Sequence, residues 1–321
     1  MADRESYLVA FIKKHHLKDV TWLSQDASTR RYARVNKKGK TYILMDSPLS
    51  EKPKEFVKIN KYLRHNHFCA PRIYAKNLRH GFLLLEDFGS CHLSHAVQDK
   101  KRADELYILA LDTLIKIQKE AQNITKFPLG YKQMRLEHNL FLEYYVPLIL
   151  KKKLSSTAKN EFHKIWDKLF KGMEKLPKTL MLYDYHLDNL MLRKDGKLGL
   201  LDFQDAMVGP IFYDVISLVE DERFPLPGSK RQKLLQHYFE LRPVLADPKY
   251  VNWLSVVAAH RHVRVMGIFA RLATVHQKPH YLKYIKNDLR FLKENLQSPL
   301  LKDFAQWIKK YLKSQFWDTC V

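Results

Sequence analysis

The chain has 321 residues, 46% of them hydrophobic and 12% aromatic, with only 10 Gly and 13 Pro. This composition excludes global disorder and low-complexity architecture, and the length allows two lobes or closely packed domains. Lys and Arg total 56 against 34 Asp and Glu, a formal charge of +22, but the cations are dispersed: Lys151-Lys152-Lys153 is the densest run, and no aromatic-interleaved basic strand suggests an RNA-reading surface.

Residues 3–18 read as a short amphipathic helix carrying Tyr7, Leu8, Phe11 and Ile12 on one face. Small polar residues from Asp26 to Thr29 then lead into alternation through Val35, and Lys37-Lys38-Gly39 turns the chain back into Thr41–Met45. Two antiparallel strands are expected there, with the segment before them a candidate phosphate loop that lacks multiple glycines. Phe56, Ile59 and Leu63 predict a helix over 54–65, and Pro71 begins the approach to another strand. Gly81-Phe82-Leu83-Leu84-Leu85-Glu86-Asp87-Phe88-Gly89 reads as a strand running into a hinge. A boundary here separates a small sheet-containing lobe, 1–88, from a larger helical one, 89–321. Helices are expected at 104–122, 136–150 and 158–175, followed by a hairpin of 189–192 and 198–201 turned at Lys194-Asp195-Gly196. Further helices follow at 213–220, 229–242, 250–274, 279–295 and 300–313, with Pro225 and Pro227 in the loop between the first two.

Cys69, Cys91 and Cys320 are odd in number and widely spaced, specifying neither a disulfide framework nor a zinc site, which fits a reducing cytoplasm. The N-terminus lacks the pattern of a secretory signal, and the apolar stretch 256–273 is interrupted by His260, Arg261, His262, Arg264 and Arg271.

The chemistry concentrates at Asp184, Asn189 and Asp202. An Asp and an Asn five residues apart, then an Asp ending an apolar strand, form a set of oxygen donors suited to Mg-nucleotide chemistry. In that reading Asp184 orients a hydroxyl and accepts its proton, while Asn189 and Asp202 hold the metal. Taken singly, the same residues read as loop caps and a strand terminus. The combination, with the Gly209-Pro210 turn beyond Asp202, favours phosphoryl transfer.

The stretches DASTRRYARV (from Asp26), TYILMDSP (from Thr41), GFLLLEDFG (from Gly81), LYDYHLDNLML (from Leu182), GLLDFQDAMVGPIFYDVISLVEDER (from Gly199) and RVMGIFARLA (from Arg264) resemble the aminoglycoside phosphotransferase and choline kinase superfamily. They span nearly the whole chain. The closer resemblance is to bacterial anomeric sugar kinases acting on N-acetylmuramic acid and N-acetylglucosamine in cell-wall recycling. It implies an α+β, two-lobed protein-kinase-like fold that binds ATP between the lobes, uses Mg2+, and takes a small-molecule amino sugar in the cytoplasm, with no obligate nucleic-acid or membrane partner. By the same resemblance Asp184 is the catalytic Asp, Asn189 and Asp202 are metal ligands, and Asp214 braces the catalytic loop. Asp205, Glu220 (within Glu220-Asp221-Glu222) and Arg264 contribute to the sugar site or support it.

Three features depart from the family pattern: Leu182 stands where His is common, Tyr183 replaces the common small or basic next residue, and no Lys occurs between Thr41 and Pro48, where a phosphate-binding Lys is expected on the third strand. Arg30 and Arg31, and less so Arg34, are the candidate replacements, because guanidinium groups make directional contacts to phosphate oxygens. Without that Lys, the usual pairing of a helix Glu at Glu55 does not carry over. Glu86 and Phe88 mark the expected adenine-binding junction. His186 reads as a backbone-bonded imidazole, and His260 and His262 do not share a helix face. An aminoglycoside or choline-like alcohol kinase is the neighbouring alternative, and a nucleotide-sensing or RNA-binding pseudokinase the more distant one.

Overall fold

A computed structural model describes residues 4–24 and 29–317; the candidate phosphate-loop residues Asp26, Ala27 and Ser28, and Cys320, lie outside them. Two compact units emerge, each made from two stretches of chain: Met1–Ala110 with Leu187–Ala206, and Leu111–His186 with Met207–Val321. The units interleave along the chain, whereas the sequence reading set one functional boundary at 88/89.

The first unit is built on a five-stranded antiparallel sheet in the order β1 (Lys18–Trp22), β2 (Arg31–Lys37), β3 (Lys40–Asp46), β5 (Phe82–Glu86), β4 (Ile73–Asn77). Alternation places Ala33 and Val35 of β2 in a core shared with Leu8, Phe11, Leu44, Phe82 and Leu84. β2 and β3 are joined through Lys38-Gly39, where φ values of 52° and 75° make the two-residue turn that matches strand twist. At the other end Gly81, with φ 76°, lies against the Ser47 carbonyl, and no side chain fits there.

The Pro53–His65 helix buries Phe56, Val57, Ile59, Asn60 and Leu63 at helical spacing, with Pro53 in its first turn where no N–H is required. A late segment joins this unit as a hairpin of Leu190–Leu192 and Leu198–Leu200. Its edges are fastened by backbone bonds from Leu200 N–H to the Cys69 carbonyl and from Leu192 N–H to the Cys91 carbonyl, both 2.8 Å.

The second unit is helical around Leu254–Thr274, whose buried residues run from Val256 to Gly267 without a break. Phe162, Trp166 and Phe170 of the Ser156–Met173 helix pack with Phe304 and Trp307 of the Lys302–Tyr311 helix; the Trp166–Phe304 and Phe162–Trp307 centroids are 5.0 and 5.1 Å apart. A short ladder pairs Lys178–Met181 with Met207–Pro210. No helix among the described residues is long and apolar enough to cross a membrane.

Two expected helices differ from the structure. The first ends at Lys14, short of the expected residue 18, where β1, exposed along its whole length, begins. The 136–150 helix begins earlier, at Tyr131, and passes through a π-helical segment, Phe141–Tyr145, before Val146–Leu150. Pro147 cannot donate to a regular helix ladder, and Gly267 lies so close that an added Cβ would be 2.5 Å from the Phe141 nitrogen.

Candidate active site

In the first unit, Asn189 and Asp202 flank the same end of the hairpin. Leu190 pairs with Leu200, and one step outward Leu201 N–H donates to the Asn189 carbonyl at 2.9 Å. Asp202 takes a left-handed conformation, φ 54°, rare for a residue with a side chain. A carboxylate and a carboxamide brought to one hairpin end are hard oxygen donors, and that donor chemistry fits Mg2+. Among the described residues no group of three or more His, Cys, Asp or Glu side chains forms a metal cage.

The segment from Asp202 to Asp205 is held by three side chains of its own unit, Arg30, Phe56 and Lys52. Arg30, 6% exposed, donates from Nη2 to Asp202 Oδ1 at 2.6 Å and from Nη1 to Gln204 Oε1 at 2.8 Å. Gln204 Nε2 bonds the same Asp202 oxygen at 3.0 Å, and Glu51 lies 3.5 Å from Arg30 Nε. Phe203 stacks on Phe56, centroids 4.9 Å apart, and Asp205 pairs with Lys52. Lys52 itself is in the left-handed region immediately before Pro53.

Arg31 is placed elsewhere, on Asp46 at the end of β3, with Nε and Nη2 at 2.9 and 2.5 Å from Oδ2. Arg4 Nε reaches Oδ1 of the same carboxylate at 3.0 Å. Arg34 binds Asp87 at 2.8 Å and the Gly89 carbonyl at 2.9 Å, and Gly89 N–H donates to Asp87. Burial disfavours the Asp87 carboxylate, but Arg34 and that N–H hold it below its ordinary range. Glu86 accepts from Arg72 N–H and Arg193, and its own N–H is bonded to the Arg72 carbonyl. Phe88 lies beneath the Arg193 guanidinium and fills the space over Gly199.

In the second unit, Asp184 follows Tyr183, whose φ of 77° is a strained value for an aromatic residue. Several contacts hold that conformation. Buried Asp214 accepts Leu182 N–H at 2.6 Å and Tyr183 N–H at 3.0 Å, the bracing that the resemblance implied. Tyr183 stacks on Tyr213, carries the Arg264 guanidinium 4.0 Å over its ring, and donates its hydroxyl to Glu137. Arg264 also pairs with Glu137, donates to Tyr213 Oη at 3.2 Å, and lies 3.5 Å from Asp184 Oδ1. Burial raises Asp214 to about 7 against the pull of its two N–H donors. Burial also opposes the Glu137 charge, but Arg264 and Tyr183 outweigh it and hold that carboxyl low.

Glu220 is drawn into a separate buried network. Its oxygens accept from Arg231 at 2.9 Å, His262 at 2.9 Å and Asn295 at 3.0 Å, while the other nitrogen of His262 meets Asp288 at 2.8 Å. Glu222 pairs with Arg261 and Arg223. His260 faces His138 instead, so the two helix histidines have different partners. Desolvation pushes the His186 imidazole well below its ordinary value. Glu137, Glu51 and Asp46 were given no role by sequence reasoning, and Tyr183 was noted only as a departure from the family pattern; the partners that define them lie elsewhere in the chain.

A family model described as "Phosphotransferase enzyme family" matches residues 19–248, and the chain belongs to that family. It is an ATP-dependent phosphotransferase of kinase-like fold. Among its relatives is the N-acetylmuramate/N-acetylglucosamine kinase of Pseudomonas aeruginosa, 33% identical over 279 residues, covering 84% of this chain and 81% of the relative. The enzyme so named from Caulobacter vibrioides is 26% identical over 97% of both chains. In fold, the chain is similar to choline kinase LicA from Streptococcus pneumoniae, with a TM-score of 0.65, 12% identity, and coverage of 90% of this chain and 99% of that one. ADP-bound aminoglycoside phosphotransferase APH(2'')-Ib gives a TM-score of 0.62 at 13% identity, covering 94% and 99%.

Proposed function

We propose that this protein transfers the γ-phosphoryl group of ATP to the anomeric hydroxyl of N-acetylmuramic acid, N-acetylglucosamine or both, in cell-wall recycling. The reading is carried by the braced turn that presents Asp184, a conformation held from Asp214, Arg264, Glu137 and Tyr213. Relatives bearing that activity support the acceptor class.

Asp184 orients the acceptor hydroxyl and takes its proton as the new O–P bond forms and the bond from the γ-phosphorus to the β–γ bridging oxygen breaks, with the electron pair leaving on ADP. Arg264 fixes the Asp184 carboxylate, and Asp214 fixes the backbone that carries it. Asn189 and Asp202 are the residues that would hold Mg2+, which when bound neutralises charge on the phosphates. Glu86 and Phe88 border the adenine, and Lys52 keeps Asp205 in register with Asp202. ATP as donor places the reaction in the cytoplasm.

A product-resolved assay with Mg-ATP and a panel of N-acetylmuramic acid, N-acetylglucosamine, choline and an aminoglycoside tests the acceptor. A sugar 1-phosphate is expected, with turnover falling at least about 100-fold in Asp184→Asn while the fold is kept. Turnover only with choline or the aminoglycoside would refute the acceptor assignment, and full turnover in Asp184→Asn would refute the role of that residue.

A further inference from the structure

Arg30 occupies the carboxylate oxygen that the proposed metal site needs. Its Nη2 lies 2.6 Å from Asp202 Oδ1, and Gln204 bonds the same oxygen at 3.0 Å. The guanidinium is 6% exposed, so its field on Asp202 is poorly screened. A divalent cation arriving at Asp202 meets that fixed positive charge and must displace it or bind weakly. Arg30 has a place from which to swing. Its Nε lies 3.5 Å from Glu51 and its Nη1 3.4 Å from Tyr32 Oη, two contacts that do not involve the Asp202 segment. No Lys occurs between Thr41 and Pro48, and Asp46, the last residue of β3, is a carboxylate engaged by Arg4 and Arg31.

We propose that Arg30 is an exchangeable counter-ion: it neutralises Asp202 when no metal is held there, and when the metal takes that carboxylate it moves to the phosphate oxygens arriving with the metal. The inference rests on the reading of Asp202 as a metal donor. It makes metal and nucleotide binding mutually dependent: the metal alone competes with Arg30, whereas the metal with its triphosphate gives the displaced guanidinium new acceptors. A guanidinium serving only to pack the unit would not move the two affinities in opposite directions.

The test is Mn2+ binding to the full chain, read by the electron paramagnetic resonance of free Mn2+, first without nucleotide and then with a non-hydrolysable ATP analogue. In Arg30→Gln, Mn2+ alone binds about tenfold tighter than in the parent, because a positive neighbour is removed from the carboxylate. Binding of the metal–analogue complex becomes about tenfold weaker, because the phosphate contact is lost. Arg30→Lys keeps the charge but cannot fork between Asp202 and Gln204, so its Mn2+ affinity falls between the two, about threefold above the parent. This variant carries the test if Arg30→Gln does not fold. Unchanged or weaker Mn2+ binding in the folded variants overturns the proposal, as does analogue affinity equal to the parent's. Asp202→Asn separates the two claims: if it loses Mn2+ binding while the Arg30 variants show no tightening, only the exchange falls, and if it binds Mn2+ like the parent, the metal-site reading falls with it.

Discussion

Asp214→Asn tests whether the turn before Asp184 is held in place from below. The Asp214 carboxylate is 1% exposed and accepts two backbone N–H groups, from Leu182 at 2.6 Å and Tyr183 at 3.0 Å. An asparagine keeps one acceptor and turns an NH2 toward the other N–H. One backbone-to-side-chain hydrogen bond is lost, and one buried donor is left unpaired, together about 3–4 kcal/mol. That corresponds to a fall in melting temperature of roughly 6–15 °C. Tyr183 relaxes from its φ of 77°, and Asp184 moves with it. A displacement of about 1 Å at a reacting group lowers kcat roughly 100-fold, while KM for ATP stays near the parent's because Asp214 touches neither Asn189 nor Asp202. The pH dependence has a definite sign. Asp214 is raised from 3.8 to about 7 on folding, so its contribution is full below pH 3.8 and is lost as pH rises through 7. The melting-temperature gap between parent and variant is therefore wider at pH 5 than at pH 8. Differential scanning fluorimetry and a coupled ADP assay measure both effects. A variant melting within 2 °C of the parent, or keeping kcat within twofold, refutes the bracing argument (about the limits of such assays against the ~3 kcal/mol expected).

His262→Asn lowers stability more at pH 6 than at pH 9. Burial opposes the imidazolium, but Asp288 and Glu220 raise its pKa above 6.5, so its contribution is present below 6.5 and is lost as pH rises through the folded value; equal losses at both pH values, read by urea unfolding, would count against this. Gly199→Ala brings a Cβ to 2.5 Å from Phe88 Cε2 and displaces that ring, lowering stability by about 1–3 kcal/mol and weakening nucleotide binding, with unaltered titration of a nucleotide analogue as the contrary result. Asp46→Lys places a third cation against Arg4 and Arg31, lowering stability by about 3–5 kcal/mol without tighter ATP binding; a stable variant with improved ATP affinity would show that the position still accepts a phosphate-binding lysine.

What was legible in the sequence followed local signals. The Lys38-Gly39 turn, the Pro53–His65 helix and the 189–201 hairpin were all marked by period, Gly or Pro, and each is present. β1 was invisible because all five of its residues are exposed, leaving no alternation to read. The π-helical segment has no motif of its own, and its close contact with Gly267 comes from a helix distant in the chain. The same division holds at the candidate site. Asp184, Asn189 and Asp202 stand out by spacing, whereas Glu137 is defined by Arg264, 127 residues away, and by Tyr183, 46 residues away.

The missing third-strand lysine is best understood as part of a rearranged set of charges. Asp46 at the end of β3 is 2% exposed and already receives Arg4 and Arg31, while Met45 before it points to the opposite face of the sheet. A further cation beside Asp46 would compete for one buried carboxylate and gain little. Arg30, the next residue toward the N-terminus, instead reaches Asp202, 172 residues away, with Gln204 as its second anchor. The paired positions Arg31 and Asp46 thus tie β2 to β3, which fixes the backbone from which Arg30 projects. In this chain the two adjacent arginines divide the work: one neutralises the strand carboxylate, and the other is left to face the carboxylate proposed for the metal.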